Sequence, residues 1–247
     1  MIEPRKSRLF NAWFASHARG RIHRTFGKVL VRGLAETLEA AQKAPLLVIS
    51  NHASWWDPLV ILHASTHLLR TDGYALMDAK NLRRLPFFGL VGAFGVDLDR
   101  PADGASAIRF AAKLLDQPGK LVWIFPQGEE RPITEPLRFR EGAAQVARVA
   151  KRAQLIPAAV RYEFAGEEKP HLYLSFGAPI QAEKDTDKGR QLQEAAVAAE
   201  LNTIDSAIGK AHVSGPPFVE IYSANQGILG KWAERLLSVM TRPFAQR

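Results

Sequence analysis

The stretch that decides the fold is Leu46-Leu47-Val48-Ile49-Ser50-Asn51-His52-Ala53-Ser54-Trp55-Trp56-Asp57-Pro58. Its first five residues form a short apolar run, which predicts a β-strand. Asp57 and Pro58 predict the start of a helix, because Asp is a good N-cap and Pro is tolerated at the first helical position. The stretch therefore predicts a strand, a tight turn and a helix, with His52 and Asp57 near the carboxyl end of the strand.

The same alternation of strands and helices continues along the chain. Short apolar runs predict strands at 74–78, 96–99, 121–125, 155–163 and 171–176. Apolar residues at helical spacing predict helices at 58–69, 106–115, 141–152 and 187–208, with a helix and turn at 82–94. This alternation predicts an α/β fold, a single-domain sandwich with a largely parallel or mixed central sheet and amphipathic helices at both termini.

The composition excludes several kinds of chemistry. The chain of 247 residues contains no cysteine, so disulfides, thiolate catalysis and cysteine-based metal sites are excluded. No apolar run approaches the roughly 20 residues that cross a bilayer. The basic N-terminus does not resemble a signal peptide, because Arg, His and Asn interrupt its apolar residues. We therefore expect a cytoplasmic protein that does not span a membrane.

Positive charge is concentrated at the N-terminus. Residues 1–43 contain nine Lys and Arg against three Glu, a net charge of +6 out of +8 for the whole chain. Apolar side chains share one face at helical spacing in two successive segments, which predicts two basic amphipathic helices. These helices either pack on the core or bind an anionic membrane surface, and their aromatic and arginine content fits the second role. The two apolar faces consist of Leu9, Phe10, Trp13, Phe14 and His17, and of Ile22, Phe26, Leu30, Leu34 and Leu38.

Another apolar stripe with basic neighbours lies near the C-terminus. It contains Leu229, Trp232, Leu236 and Met240, and it follows a break at 215–217. The chain is therefore expected to have basic amphipathic N-terminal helices at 1–44, a catalytic domain at 45–213 and a basic amphipathic tail at 214–247. The two ends together predict a peripheral protein on the inner face of the membrane.

His52 and Asp57 are the clearest candidates for catalysis. An Asp that accepts a hydrogen bond from an imidazole fixes the tautomer of the ring and stabilises the imidazolium when the ring takes a proton. With such a base, the hydroxyl of an acceptor substrate is the nucleophile, and no catalytic Ser is required. The alternative is a structural role, in which Asp57 caps a helix and His52 is an ordinary hydrogen-bonding residue.

Four segments, in the correct order, resemble the motifs of the glycerolipid (lysophosphatidic-acid-type) acyltransferases. Residues 51–57 resemble the first motif, Asn-His-x-x-x-x-Asp, and residues 125–128, Phe-Pro-Gln-Gly, resemble the third, Phe-Pro-Glu-Gly-Thr-Arg. Residues 95–100 and 155–160 resemble the second and fourth motifs, and Phe-Arg-Glu-Gly at 139–142 resembles the basic residue and Gly that follow the third. The resemblance covers roughly residues 45–180, and the first and third motifs are the specific ones.

The resemblance implies a reaction and a set of partners. A fatty acyl chain would move from acyl-CoA or acyl-carrier protein to a hydroxyl of a lysophospholipid or related glycerolipid or glycolipid. His52 would be the general base and Asp57 its orienting partner, with no metal and no cofactor beyond the thioester co-substrate. The expected partners are the donor, the lipid acceptor and a membrane surface, and not nucleic acid. The residues implied to bind substrate or shape its site are Arg100, Phe125, Pro126, Gln127, Gly128, Arg131 and Pro157.

Two further features belong to this interpretation. The Gly128 region and the N-terminus of the helix after Asp57 are candidate hydrogen-bond donors to the oxyanion that forms during acyl transfer. The apolar stretch at 86–95 either lines a groove for the acyl chain or packs in the core.

The third motif departs from the family pattern. Gln127 replaces the family's Glu, Glu129 and Glu130 replace the Thr and Arg, and Arg131 comes one position late. Carboxylates repel phosphate, whereas amide and carboxylate groups suit neutral hydroxyl groups. We expect an acceptor that is recognised less through phosphate than is usual in the family: a glycosylated or neutral lipid, or a lysolipid held mainly by Arg100. The alternative is that both Glu side chains face solvent and Arg131 binds phosphate together with Arg100.

Other classes of protein fit the sequence less well. The Gly-x-Ser-x-Gly motif of an α/β serine hydrolase is absent from the sequence, and so is a recognised nucleic-acid-binding motif. His63 and His67 lack the Glu of a metal-binding helix motif and predict an ordinary helix face. The remaining alternatives to a transferase are a thioesterase-like hydrolase, in which water replaces the acceptor, and a non-catalytic lipid-binding relative.

Overall fold

The computed structural model describes residues 1–97, 99–209 and 215–223. A π-helical turn covers Ala64–Leu68, and a 3-10 helix covers Pro86–Val91. The strands are β1 (Lys28–Arg32), β2 (Leu46–Ser50), β3 (Asp72–Asp78), β4 (Ala93–Val96), β5 (Lys120–Ile124), β6 (Gln154–Glu163), β7 (His171–Phe176) and β8 (Val219–Ser223). The α-helices are α1 (Arg8–Thr25), α2 (Leu34–Lys43), α3 (Asp57–His63), α4 (Ala79–Arg84), α5 (Pro101–Leu114), α6 (Gly142–Val149) and α7 (Thr186–Ile208).

The strands of the described residues form one mixed sheet in the order β4-β3-β5-β2-β6-β7-β1-β8. The first five strands in this order are parallel to their neighbours, whereas β7 is antiparallel to β6 and β8 is antiparallel to β1. The carboxyl ends of the five parallel strands therefore lie along one edge, which is where open α/β sheets bind their ligands. This architecture confirms the predicted α/β fold with a mixed central sheet.

Helices cover both faces of the sheet and separate two apolar cores. On one face, α1, α2 and α3 pack around Trp123 and Ile156. On the other face, α5, α6 and α7 pack around Val122 and Ile124. Because successive side chains of a strand point to opposite faces, β5 contributes to both cores at once. β2, which is apolar from Leu46 to Ile49, is buried along its whole length for the same reason.

The second predicted N-terminal helix is wrong at residues 28–32, which form β1. Val29 and Val31 are buried while the residues between and beside them are partly exposed, which is the alternation of a strand. β1 pairs with β7 on one side and β8 on the other, so this segment is part of the sheet. The three-part division of the chain stays a prediction, and the apolar stripe at 229–240 lies outside the described residues.

Candidate active site

The loop between β2 and α3 brings His52 and Asp57 into direct contact. His52 Nδ1 lies 2.6 Å from Asp57 Oδ2. The same carboxylate oxygen accepts hydrogen bonds from the backbone N–H groups of Ala53, at 2.8 Å, and Ser54, at 3.1 Å. Asp57 is fully buried, whereas the His52 ring is partly exposed. With the Nδ1 proton donated to the carboxylate, Nε2 is the ring nitrogen that is available to take a proton.

Tyr162 is part of this site, although the sequence did not single it out. Its hydroxyl donates a 2.6 Å hydrogen bond to Asp57 Oδ1, across 105 positions of sequence. Ser50, the last residue of β2, pairs with Ala158 of β6, so Tyr162 extends past the end of β2 and reaches the loop. Burial, together with the Asp57 carboxylate, raises the pKa of Tyr162 well above its ordinary value. The hydroxyl is therefore a protonated donor at every ordinary pH.

Asn51 fixes the start of the same loop. Its side-chain amide donates to the carbonyl oxygen of Val160 and accepts from the N–H of Val160, both at 2.9 Å. Asn51 is buried. Its side chain makes two hydrogen bonds to the β6 backbone just beyond the last backbone pair between β2 and β6. The loop that carries His52 is thereby tied to the strand that carries Tyr162.

The loop at 125–131 holds His52 from the other side. The Phe125 ring stacks on the His52 imidazole, with centroids 4.6 Å apart and planes 22° apart. Gln127 Oε1 accepts from the His52 backbone N–H at 2.7 Å, and the Arg131 backbone N–H donates to the His52 carbonyl at 2.9 Å. Gln127 is buried, so its carbonyl positions His52 and does not face an acceptor. A Glu at this position would also present an accepting oxygen. The replacement of the family's Glu by Gln127 therefore keeps the hydrogen bond to the His52 N–H.

A cavity of about 310 Å³ opens beside His52. It runs along β3 from Gly73 to Asp78, and its walls are mostly apolar. Phe88, Val91 and Ala93 belong to these walls, so the apolar stretch at 86–95 contributes to the cavity, whereas Phe94 packs in the opposite core. The polar side chains along the lining are His52, Ser65, Thr66, Asp78, Asn81, Glu129 and Glu130.

The structure does not bring Arg100 and Pro157 into this cavity. Arg100 precedes α5 with its side chain 75% exposed, and its Nε lies 3.6 Å from Asp97. Pro157 of β6 is paired with Ile49, whose side chain belongs to the core on the face opposite Trp123. Because Trp123 lines the cavity, Pro157 lies on the other face of the sheet.

Arg131 is close to the cavity, but its guanidinium is already occupied. It binds the carboxylates of Glu129 and Glu135, the second at 2.9 Å. These hydrogen bonds raise the pKa of Arg131 above its ordinary value. Of the two Glu residues that line the cavity, Glu129 is therefore paired with a cation within its own loop.

The first candidates for oxyanion donors are engaged elsewhere. The Gly128 N–H donates to the Phe125 carbonyl at 3.0 Å, and the Asp57 N–H donates to the Ser54 carbonyl at 2.9 Å. Pro58, the next residue of α3, has no N–H. The backbone N–H groups of Glu129 and Glu130 make no hydrogen bond within the part of the chain that the structure describes. They are therefore two candidate oxyanion donors in the lining that also contains His52.

The fold and the paired His and Asp at the strand ends agree with a comparison to known families. A family model described as Acyltransferase, the 1-acylglycerol-3-phosphate acyltransferase-type domain, matches residues 29–161. This is more than half of the chain, and it includes His52, Asp57 and the 125–131 loop. The chain belongs to this acyltransferase family, which confirms the predicted resemblance. A search of curated proteins gave no match.

None of the helices at 1–97, 99–209 and 215–223 is both long and apolar enough to cross a membrane. Within the same ranges, no group of three or more His, Asp or Glu is arranged to hold a metal ion. His63 and His67 do lie together on the helical segment formed by α3 and the π-helical turn, with their Nδ1 atoms 3.3 Å apart.

Proposed function

We propose that this acyltransferase moves a fatty acyl chain from a thioester donor, acyl-CoA or acyl-carrier protein, to a hydroxyl of a lysophospholipid or related glycerolipid or glycolipid. The observation that carries the proposal is the His52–Asp57 pair at the mouth of an apolar cavity, since Nε2 is the one ring nitrogen that the pair leaves uncommitted. Acyl transfer needs a base beside an apolar site that holds the chain.

The proposed reaction uses these groups in sequence. His52 Nε2 removes the proton of the acceptor hydroxyl, and the hydroxyl oxygen attacks the thioester carbonyl carbon. The C–S bond breaks when the tetrahedral intermediate collapses, and the leaving thiolate takes the proton from the imidazolium. Between the two steps the buried Asp57 carboxylate stabilises the imidazolium. The N–H groups of Glu129 and Glu130 are proposed to stabilise the oxyanion.

The acyl chain is proposed to lie along β3. The distance from Asp78 to Gly73 is about 17 Å at the usual rise of a strand, and the walls of the cavity there are apolar. Burial of each CH₂ group stabilises a bound chain by about 0.8 kcal/mol. This part of the site therefore supports a fatty acyl chain rather than a short acid.

The acceptor is proposed to be neutral or glycosylated, as the third motif suggests. Glu129 and Glu130 line the mouth of the cavity, where carboxylates accept hydrogen bonds from hydroxyl groups and repel phosphate. Arg131 adds little attraction for phosphate because Glu129 and Glu135 hold its guanidinium. Gln127 acts through His52 and Glu129 is paired with Arg131, so this part of the proposal depends chiefly on Glu130.

The protein is also proposed to work at a membrane surface. α1 buries Ala15, Ala18 and Ile22 but leaves Leu9 86% and Trp13 61% exposed. These exposed side chains lie in an N-terminal segment that carries most of the net positive charge. An apolar face beside basic residues is typical of segments that bind anionic lipid surfaces.

The first test is to incubate the purified protein with palmitoyl-CoA, with or without a lipid acceptor, and to measure free CoA and new esters. A transferase releases CoA only when an acceptor is present and forms an ester. A thioesterase-like hydrolase releases CoA and fatty acid without an acceptor, and a lipid-binding relative releases no CoA. Either of the last two results would contradict the proposal.

A second experiment tests the acceptor. Lysophosphatidic acid and a monoacylglycerol or lysoglycolipid compete for one acyl-CoA, and mass spectrometry gives the ratio of products. We expect the neutral acceptor to be used at least as well as lysophosphatidic acid. A clear preference for lysophosphatidic acid would overturn the neutral acceptor while leaving acyl transfer in place.

A further inference from the structure

Arg140 is attached to the loop that positions His52, although it follows that loop by about ten residues. Its backbone N–H donates to the Pro126 carbonyl at 2.8 Å. Its side chain lies directly against Gly128, because a Cβ built on Gly128 would be 2.9 Å from Arg140 Nε and 3.1 Å from Cζ. Gly128 adopts φ +77 and lines the cavity. Because Gly128 has no Cβ, the Arg140 guanidinium can lie directly against a residue that lines the cavity.

The guanidinium of Arg140, unlike that of Arg131, has no carboxylate partner among the described residues. Arg140 is exposed and forms no ion pair with any residue at 1–97, 99–209 or 215–223. Arg131 is bound by Glu129 and Glu135, and Arg100 does not line the cavity. Among these three arginines, Arg140 is the one that lies against a cavity-lining residue, Gly128, and has no ion pair with a described residue.

We propose that Arg140 binds a phosphate group of one of the two substrates of the proposed acyl transfer. A guanidinium offers a planar fork of N–H donors that matches two phosphate oxygens at once. Contact with Gly128 and the Pro126 hydrogen bond hold this fork beside the loop, so less side-chain freedom is lost on binding.

The phosphate has two possible sources, which the test separates. A phosphorylated acceptor such as lysophosphatidic acid carries one on its headgroup. Acyl-CoA and acyl-carrier protein carry phosphate on the pantetheine arm, and this source applies if the acceptor is neutral. The inference rests on the proposed function for the identity of the substrates, and on the geometry of Arg140 for the site itself.

The kinetic experiment compares wild type with Arg140→Gln and Arg140→Lys. Arg138→Gln is the matched control, because Arg138 is exposed on the same segment and also forms no ion pair with a described residue. The donors are palmitoyl-CoA and palmitoyl-N-acetylcysteamine, which has no phosphate; the acceptors are lysophosphatidic acid and monoacylglycerol. Loss of a hydrogen bond to a charged group raises KM for the phosphate-bearing substrate about 10- to 100-fold. The KM of the matching neutral substrate stays within about twofold, Arg140→Lys retains part of the binding, and Arg138→Gln behaves as wild type.

The pattern of KM changes identifies the source of the phosphate. A rise for lysophosphatidic acid alone assigns Arg140 to the acceptor, and a rise for palmitoyl-CoA alone assigns it to the donor. Equal changes for neutral and phosphorylated substrates, or equal effects of Arg138→Gln and Arg140→Gln, would overturn the inference.

A binding measurement keeps the inference testable without turnover. Isothermal titration of wild type and Arg140→Gln with CoA and with glycerol 3-phosphate measures phosphate binding directly. We expect one of these ligands to bind wild type at least tenfold more tightly than the variant. If wild type transfers no acyl group but binds CoA through Arg140, the proposed function fails and the phosphate site stands. If neither ligand distinguishes the two proteins, the phosphate site fails whatever the activity.

Discussion

At the scale of single residues, the site converges on one buried carboxylate. Asp57 accepts from two backbone N–H groups, from His52 and from Tyr162. A buried charge is costly unless hydrogen bonds satisfy it, and these four donors do so while also closing the loop. Asp57 therefore determines both the position of His52 and the shape of the turn that carries it.

The first prediction concerns the two residues of this pair. His52→Ala and Asp57→Asn should each lower the rate of acyl transfer by about 10²–10⁴-fold, the usual cost of losing a general base or its orientation. Asn should keep the loop folded, because its oxygen can face Ala53 and Ser54 while its amide donates to the Tyr162 hydroxyl. Thermal unfolding followed by circular dichroism checks the fold of both variants. Near-normal turnover of folded His52→Ala would refute the proposed mechanism.

The second prediction concerns Tyr162. Tyr162→Phe removes one hydrogen bond to Asp57 and leaves the ring in place, so kcat should fall about tenfold while KM for both substrates stays nearly constant. Steady-state kinetics at several acceptor concentrations separates the two constants. Tyr173→Phe is a control, since Tyr173 lies in β7 and packs with Ala159 and Ile204 away from the cavity. If kcat of Tyr162→Phe equals that of wild type, Tyr162 serves only the fold.

The sequence predicted these residues unevenly, for a physical reason. His52 and Asp57 are close in sequence and stand in a motif whose chemistry requires both. Tyr162 approaches Asp57 only because β6 runs parallel to β2 and extends beyond it, which local spacing does not encode. The same is true of Arg140, whose contact with Gly128 depends on the path of the chain between them.

At the scale of elements, strands with clear boundaries were predicted best. The predicted strands at 46–50 and 171–176 coincide with β2 and β7, and Pro45 and Pro170 immediately precede them. β1 was missed because Ile22, Phe26, Leu30 and Leu34 happen to repeat every four residues, which imitates a helix. The alternating Val29 and Val31 between Gly27 and Gly33 are the signal that favours a strand.

The predicted helix at 58–69 also changes its hydrogen-bond pattern partway along. α3 ends at His63, and the following turn is π-helical, with the Leu69 N–H donating to the Ala64 carbonyl at 2.8 Å. The hydropathy pattern does not reveal a change from an α-helix to a π-helical turn, because the spacing of the apolar residues changes by only one residue. The turn places Ser65 and Thr66 in the wall of the cavity, and π-helical turns are often found at functional sites.

The third prediction concerns pH and belongs to this helix. Burial, together with the neighbouring His67, His23 and Arg19, lowers the pKa of His63 to about 4. The folded state thus favours neutral His63, so its contribution to stability is complete above about pH 6.5 and is lost as the pH falls toward 4. The loss is on the order of 3 kcal/mol, because one pKa unit corresponds to about 1.4 kcal/mol.

Urea unfolding between pH 7 and pH 4 measures this dependence. His63→Gln should flatten the acid decrease in the free energy of unfolding relative to wild type, even if it lowers stability at pH 7. His17→Gln is the control, since His17 is exposed on α1, and it should keep the wild-type slope. Parallel curves for wild type and His63→Gln would contradict the assignment.

At the scale of the whole molecule, the exposed aromatic face and the cavity are connected. Phe14 of α1 contacts both Phe87 and Phe88, with centroids 5.4 Å and 6.3 Å away, and Phe88 lines the cavity. Trp13 contacts Phe14 on the outer side. Apolar side chains therefore continue from the exposed surface of α1 to the cavity wall, which is the arrangement expected if lipid substrates enter from a membrane.

The structure also determines how membrane binding must be tested. Deleting residues 1–32 would remove α1, which covers a core, and β1, which lies between β7 and β8. Such a deletion is expected to unfold the domain, so loss of binding would be uninformative. Leu9 and Trp13 are largely exposed, and replacing them leaves the buried face of α1 intact.

The fourth prediction is that Leu9→Ser combined with Trp13→Ser weakens binding to anionic vesicles by tenfold or more and leaves the melting temperature nearly unchanged. The loss follows from the apolar area that the two side chains bury in the interface, at about 25 cal/mol per Å². Co-sedimentation with vesicles of phosphatidylcholine, with or without phosphatidylglycerol, measures the binding. Wild type should prefer the anionic vesicles and lose affinity as salt rises, because each basic residue near such a surface contributes about 1 kcal/mol that salt screens.

The matched control is Val149→Ser combined with Leu192→Ser, which removes exposed apolar side chains from α6 and α7 on the other face of the sheet. If this control loses binding to the same extent, or if wild type binds neutral and anionic vesicles equally, the face of α1 is not the membrane surface.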